Sequence, residues 1–160
     1  MSKQVYLAGP DVFRDNAKAH LVKLQGFCAA LGLAGLSPLD TELGQFMQDR
    51  HTAMKIFAGN VALMNKADVA IANIVPFRGP NMDSGTAFEI GYMHALGKAV
   101  FCYTDDSKTL AERSGHVFPL DKFPIVEEFG LVENLMIIGG SHAVYASAED
   151  AILAAARFLK

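Results

Sequence analysis

Two carboxylates stand six residues apart in the run Asp83-Ser84-Gly85-Thr86-Ala87-Phe88-Glu89-Ile90-Gly91. Asp83 follows a Pro/Gly loop, Pro76 to Pro80, and takes the place of a helix N-cap. Glu89 falls about two turns into the helix that this run opens, on a face otherwise made of apolar and small residues. An acid among Ala87, Phe88, Ile90 and Gly91 is costly to bury unless something uses it. A carboxylate so placed can attack an electrophilic carbon or stabilise an oxocarbenium-like sugar carbon. Plainer readings stand beside these. Asp83 can serve only as a cap, and Glu89 can pair with Arg78 as a structural ion pair.

Other residues that could serve a site lie in loops that follow predicted strands. Leu7-Ala8-Gly9-Pro10-Asp11-Val12-Phe13 ends the first strand, where Gly9 permits a tight turn and Phe13 offers a flat apolar surface. Pro38-Leu39-Asp40-Thr41-Glu42 ends the second, and Pro76-Phe77-Arg78-Gly79-Pro80 ends the third, directly before Asp83. In a parallel sheet these ends lie side by side and can wall one crevice. An aromatic platform beside clustered carboxylates suits a nucleobase joined to a sugar. Phe13 and Tyr6 can equally be core aromatics, and Arg78 can be a solvated loop arginine as readily as a phosphate ligand.

The elements that must position these groups alternate along the chain. Strands are predicted at Gln4 to Ala8, around Leu33 to Leu36, at Val69 to Val75 and at Ala99 to Tyr103, with short candidates at Leu135 to Ile138 and Ala143 to Tyr145. Helical spacing runs from Asn16 to Leu31, from Gln48 to Lys66, after Asp83, and from Ala148 to Leu159 with Ser147 as its cap. The continuous apolar run Val69 to Val75 reads as a central parallel strand. Together they predict an α/β fold: a single domain, residues 1–160, with a doubly wound parallel sheet of five strands in flavodoxin-like order and helices on both faces. The stretch from Asp105 to Gly130 fits several short elements.

Composition narrows the function classes. The chain has 160 residues, 51% hydrophobic and 19% charged, with a net charge of −3, so it lacks the basic footprint of a nucleic-acid-binding protein. Cys28 and Cys102 read as buried free thiols. No CxxC or Cys/His metal spacing occurs and the five histidines are scattered, so neither metal nor cofactor is expected. No apolar run approaches the roughly 18 residues of a membrane span, and the N-terminus is too weakly apolar for a signal peptide, so a cytoplasmic location is expected.

These residues resemble the nucleoside 2-deoxyribosyltransferase family nearly end to end. The resemblance rests on Tyr6-Leu7-Ala8-Gly9-Pro10 with Phe13, Asn60 through Asp68, Phe77-Arg78-Gly79 with the Asp83 to Gly91 block, and Phe129-Gly130-Leu131 with Asn134-Leu135-Met136. It implies that Glu89 is the nucleophile, forming a covalent 2-deoxyribosyl-enzyme that a second nucleobase resolves with retention. It also implies that Tyr6 orients Glu89, and that Asp83 and Asn134 hold the 5′-hydroxyl side of the sugar, with Asn134 supplied by a neighbouring subunit. Phe13 would line the base pocket; Gly9, Asp40, Glu42, Asn60, Phe77, Arg78, Gly85 and Met136 complete the implied substrate-binding set. Asn60 stands where some members carry a base-contacting aspartate, and Glu42 where they carry glutamine. The proton donor to the leaving base is therefore open, with Asp40 and Glu42 as candidates. The implied partners are 2′-deoxynucleosides, free nucleobases and further copies of the chain, in deoxynucleoside salvage.

Two other readings remain at this stage. A related hydrolase cleaves 2-deoxynucleoside 5′-monophosphates and carries a hydroxyl residue six positions before its nucleophile. Asp83 at that position would repel a phosphate dianion, although Ser84 and Arg78 sit nearby in sequence. A non-catalytic nucleotide-binding module would have no need of Glu89. Tyr6, if it lies beside Glu89, is expected to keep that carboxylate ionised at neutral pH.

Overall fold

The computed structural model describes residues 2–40, 47–117, 126 and 128–160. Five parallel strands, β1 (Gln4–Ala8), β2 (Ala34–Leu36), β3 (Val69–Asn73), β4 (Val100–Tyr103) and β5 (Ala143–Tyr145), form one sheet in the order β2-β1-β3-β4-β5. Among the described residues the α-helices are α1 (Ala17–Ala30), α2 (Arg50–Lys66), α3 (Ser84–Ala95), α4 (Leu110–Val117), α5 (Leu135–Gly140) and α6 (Ala148–Phe158). This is the doubly wound α/β arrangement that the alternating pattern predicts.

Side-chain alternation along the strands divides the core in two. Val5, Leu7, Val69, Ile71, Phe101 and Tyr103 pack with Leu21, Leu24 and Cys28 of α1 and with Ala151, Ile152 and Ala155 of α6. The intervening positions, Tyr6, Ala8, Ala70, Ala72, Val100 and Cys102, pack with Met64 of α2 and with Ile90 and Met93 of α3. Each fully buried Ile or Phe here contributes roughly 1.5–3 kcal/mol. The second face carries alanine at positions 8, 70 and 72, which leaves room for the larger Tyr6. The pleat therefore decides that Tyr6 looks toward α3, the helix bearing Glu89.

Local signals set most boundaries. Asp49 caps α2 by accepting from the Thr52 N–H at 2.7 Å, so the helix starts after it and not at Gln48. Ser147 caps α6, accepting from the Asp150 N–H at 3.1 Å. Strand β3 stops at Asn73, short of Val75, because the Asn73 side chain accepts from the Val75 N–H at 3.2 Å and turns the chain. Cys28 and Cys102 are free and buried, and burial raises each thiol to about 11.

One predicted strand is a helix. Leu135 to Ile138 lies within α5, because the Asn134 side chain accepts from the Met136 N–H at 2.9 Å and starts a turn. Ile137 and Ile138 both pack against the α2/α3 cluster, which strand alternation would not allow. Within the stretch 105–130, α4 is the helix among the described residues.

Candidate active site

Tyr6 and Glu89 form the centre of the site. Tyr6 is fully buried, and its hydroxyl donates to Glu89 Oε1 at 2.6 Å across 83 residues of chain. Burial pushes the Glu89 carboxyl up from its ordinary 4.5 to about 7; the Tyr6 hydrogen bond pulls the other way and the nearby Asp83 charge adds to the rise. The phenol thus offsets burial only in part. The carboxyl therefore titrates close to neutral pH, and the Tyr6 bond alone does not return it to the ordinary carboxylate range. The Tyr6 phenol itself is raised far above its usual range, by burial first and then by the adjacent carboxylate, so it remains a donor.

Asp83 is the N-cap of α3. Its Oδ2 accepts from the Thr86 N–H at 2.9 Å and from the Thr86 hydroxyl at 3.0 Å. Both bonds fall on this one oxygen. Gly85 keeps this carboxylate uncrowded, since a Cβ there would stand 3.0 Å from Asp83 Oδ2. Capping and a charge acting on Glu89 are both properties of this one side chain.

The loops of the carboxyl sheet edge supply an aromatic platform. Phe13, 58% exposed, stacks on Phe77 with centroids 5.4 Å apart and rings 22° from parallel. The Arg78 guanidinium lies 5.0 Å from the Phe13 ring and 4.6 Å from the Phe77 ring. Arg78 adopts a left-handed φ of 56°, a costly conformation for a side-chain-bearing residue and one that concentrates at binding sites. Its place is on the rings, and Glu89 is held by Tyr6 instead. Gly9, at φ 151°, packs so tightly that a Cβ would come within 2.6 Å of Asn73 Cβ.

The remaining predicted residues fall variously. Asn134 caps α5, which packs on α3, while Met136 is 73% exposed. Asn60 sits in α2, and its Oδ1 is buried without a hydrogen-bond partner among the described residues. Such an orphan acceptor costs about 1–3 kcal/mol unless a ligand satisfies it. The Asp40 carboxylate is tied to its own turn: it accepts from Gln25 Nε2 at 2.9 Å and from the Ser37 N–H at 2.8 Å. Glu42 lies outside the described residues. Among the described residues, no three metal-ligating side chains come together, and no helix is long and apolar enough to cross a membrane.

Two buried networks carry no local sequence signal of their role. Asp11, buried in the turn that presents Phe13, accepts from Asn73 Nδ2 at 3.0 Å, Tyr103 Oη at 3.1 Å and Arg14 Nε at 2.8 Å. It thereby ties the Phe13 turn to the ends of β3 and β4. Only the adjacency of Asp11 to Gly9 and Phe13 could have singled it out. The other network, Arg113 with Glu133, spans the approaches to α3 and α5.

The loops at the carboxyl edge of this parallel α/β sheet present stacked aromatics, and the first helix past them carries a half-buried, phenol-bound carboxylate, which makes this crevice the candidate site of the fold. The chain belongs to the nucleoside 2-deoxyribosyltransferase family, whose model matches residues 5–136. It is similar over 97% of its length, at 32% identity and a TM-score of 0.82, to the 2-deoxyribosyltransferase of Leishmania mexicana, 97% of which it covers. The 2-deoxyribosyltransferase of Bacillus psychrosaccharolyticus shares the fold, with a TM-score of 0.65 at 23% identity over 93% of this chain and 90% of that one. An uncharacterised protein of Schizosaccharomyces pombe is 38% identical over 112 residues, 68% of this chain. The chain spans about half, 53%, of the length of that curated relative.

Proposed function

We propose that this protein transfers 2-deoxyribose between nucleobases, with Glu89 as the nucleophile. The observation that carries the reading is the 2.6 Å bond from a fully buried Tyr6 to a carboxylate that burial has raised to about 7. A Glu89 oxygen attacks C1′ of a 2′-deoxynucleoside, the C1′–N bond breaks, and its electron pair leaves with the base, which takes up a proton. A nitrogen of the second base then attacks C1′, giving up its N–H proton as the C1′–O bond breaks and the carboxylate is released. Two inversions give net retention, and the kinetics are ping-pong. Tyr6 fixes the attacking group, Asp83 and Asn134 hold the 5′-hydroxyl side of the sugar, and the Phe13–Phe77 pair stacks on the base.

The family and the Leishmania relative support the transferase class. The Asp83 charge supports free nucleosides over 5′-monophosphates, since a phosphate dianion there would be repelled. An oligomer in which Asn134 completes a neighbour's pocket belongs to the same reading, and the exposure of Met136 beside it favours that surface being covered. The role that follows is salvage of deoxynucleosides in the cytoplasm.

Incubation with a 2′-deoxynucleoside, with and without a second base, tests the proposal by chromatography. Formation of the new nucleoside supports it. Release of free sugar from a 5′-monophosphate alone would establish the hydrolase instead, and silence on both substrates would leave a binding module.

A further inference from the structure

Arg113 and Glu133 form an ion pair at 3.3 Å, with side chains only 6% and 1% exposed. Among the described residues, nearly every other hydrogen bond they make goes to backbone. Glu133 Oε2 accepts from the Met82 N–H at 2.9 Å, and Oε1 accepts from the Asn134 N–H at 2.9 Å. Arg113 donates through Nε to the Pro80 carbonyl at 2.8 Å, through Nη1 to the Lys108 carbonyl at 2.7 Å, and through Nη2 to the Val132 carbonyl. Three separate segments, 80–82, 108 and 132–134, therefore meet on two side chains.

The atoms gripped are telling. Met82 directly precedes Asp83, the cap of α3, and Asn134 is itself the cap of α5. One carboxylate holds a backbone N–H at the entrance to each helix, one oxygen apiece. A buried ion pair is a poor way to gain stability, because desolvation of both charges opposes their attraction. What such a pair does well is fix geometry, since a guanidinium fork and a carboxylate accept few arrangements.

We propose that Glu133, braced by Arg113, is a positioning residue that sets Asp83 and Asn134 for their hold on the sugar. The proposal rests on the transfer reading above, in which those two side chains grip the 5′-hydroxyl side. Glutamine at position 133 would turn one acceptor oxygen into a donor. Either the Met82 or the Asn134 N–H would then face an N–H, and Arg113 would lose its counter-charge. Lysine at position 113 would keep the charge but could not span the Pro80, Lys108 and Val132 carbonyls together.

The test compares Glu133→Gln and Arg113→Lys with the wild type in the full chain. Each is assayed for transfer to one acceptor base from a 2′-deoxynucleoside and from the matching 2′,5′-dideoxynucleoside, with circular dichroism to verify folding. The wild type should prefer the donor that carries the 5′-hydroxyl. In each variant kcat/KM for that donor should fall about 10- to 100-fold, the scale of misplacing a binding group by about 1 Å, while the 5′-deoxy donor loses far less. The preference therefore collapses. Equal losses on both donors, or an unchanged preference in either folded variant, overturn the proposal. If one variant does not fold, the other decides; if neither folds, the pair is a stability element and the proposal falls. A wild type that moves no sugar, or ignores the 5′ group, refutes the underlying reading instead, and that failure is visible before any variant is made.

Discussion

Glu89→Gln should inactivate the protein and stabilise it, and the stabilisation should depend on pH in a defined way. The carboxyl titrates at about 7 in the folded chain against an ordinary 4.5, a difference of roughly 3 kcal/mol between its two protonation states. Because the folded value is raised, the native state holds this proton more tightly than the unfolded chain between about 4.5 and 7. Wild-type stability contributed by this group is therefore present at low pH and is lost as pH rises through that window, then levels off above about 7. Glutamine keeps an acceptor for the Tyr6 hydroxyl but never ionises. Subtracting wild type from variant cancels the titration of all distant groups.

Urea unfolding of both proteins at pH 5, 6, 7 and 8 measures this difference. The advantage of the variant should grow by roughly 2 kcal/mol from pH 5 to pH 7 and then change little to pH 8. A difference that stays constant across the series, or one that shrinks as pH rises, would refute the claim that burial dominates at Glu89. Transfer activity of the same variant should be lower by several orders of magnitude, as expected for a missing nucleophile.

The other perturbations address single contacts. Tyr6→Phe removes the bond that lowers the Glu89 value, so the acid limb of kcat/KM should move to higher pH and the plateau rate fall roughly ten- to a thousandfold; an unmoved limb would separate Tyr6 from Glu89 in function. Asp83→Asn keeps a good N-cap for α3 but deletes a charge that raises Glu89, so the acid limb should move to lower pH with little change in Tm. Gly9→Ala forces a Cβ to within 2.6 Å of Asn73 and should cost about 1–3 kcal/mol in thermal unfolding. Glu89→Ala and Asn134→Ala chains, each nearly inactive alone, should regain partial activity when mixed under subunit exchange; no recovery despite proven exchange would rule out a shared site.

What the sequence made legible is what local chemistry decides. Periodicity and caps located the strands and helices around Glu89 because Asp83 and Ser147 each bond within their own first turn, whereas the cap at Asp49 reads as part of its helix. Leu135 to Ile138 defeated that logic because four apolar residues satisfy a strand and a buried helical turn equally, and a side chain just outside the run, Asn134, settles the matter. Asp40 looked available as an acid because its captor, Gln25, sits in α1, and nothing in the intervening residues announces the contact. The Asp11 network and the Arg113–Glu133 pair were unreadable for the same reason, since the partners that join separate elements, Asn73 and Tyr103 for Asp11 and Met82 for Glu133, come from remote strands and loops.

The state of Glu89 shows why the place of a carboxylate can be read from sequence while its electrostatics have to be found in three dimensions. An acid in an apolar helix face signals burial, but whether it stays ionised depends on how far burial outweighs a single donor. That donor reaches Glu89 because Tyr6 occupies the strand position whose side chain falls on the α3 side, among alanines that leave it space. Had the strand register shifted by one residue, Tyr6 would face α1 and α6, and Glu89 would be a half-buried acid without its phenol donor. The same alternation that assembles the hydrophobic core therefore places the phenol on the carboxylate. Tyr6→Phe keeps the ring that fills this space and removes only the donor, so at Tyr6 packing and the electrostatics of Glu89 can be separated by one hydroxyl, whereas at Asp83 a neutral side chain can take over the capping role.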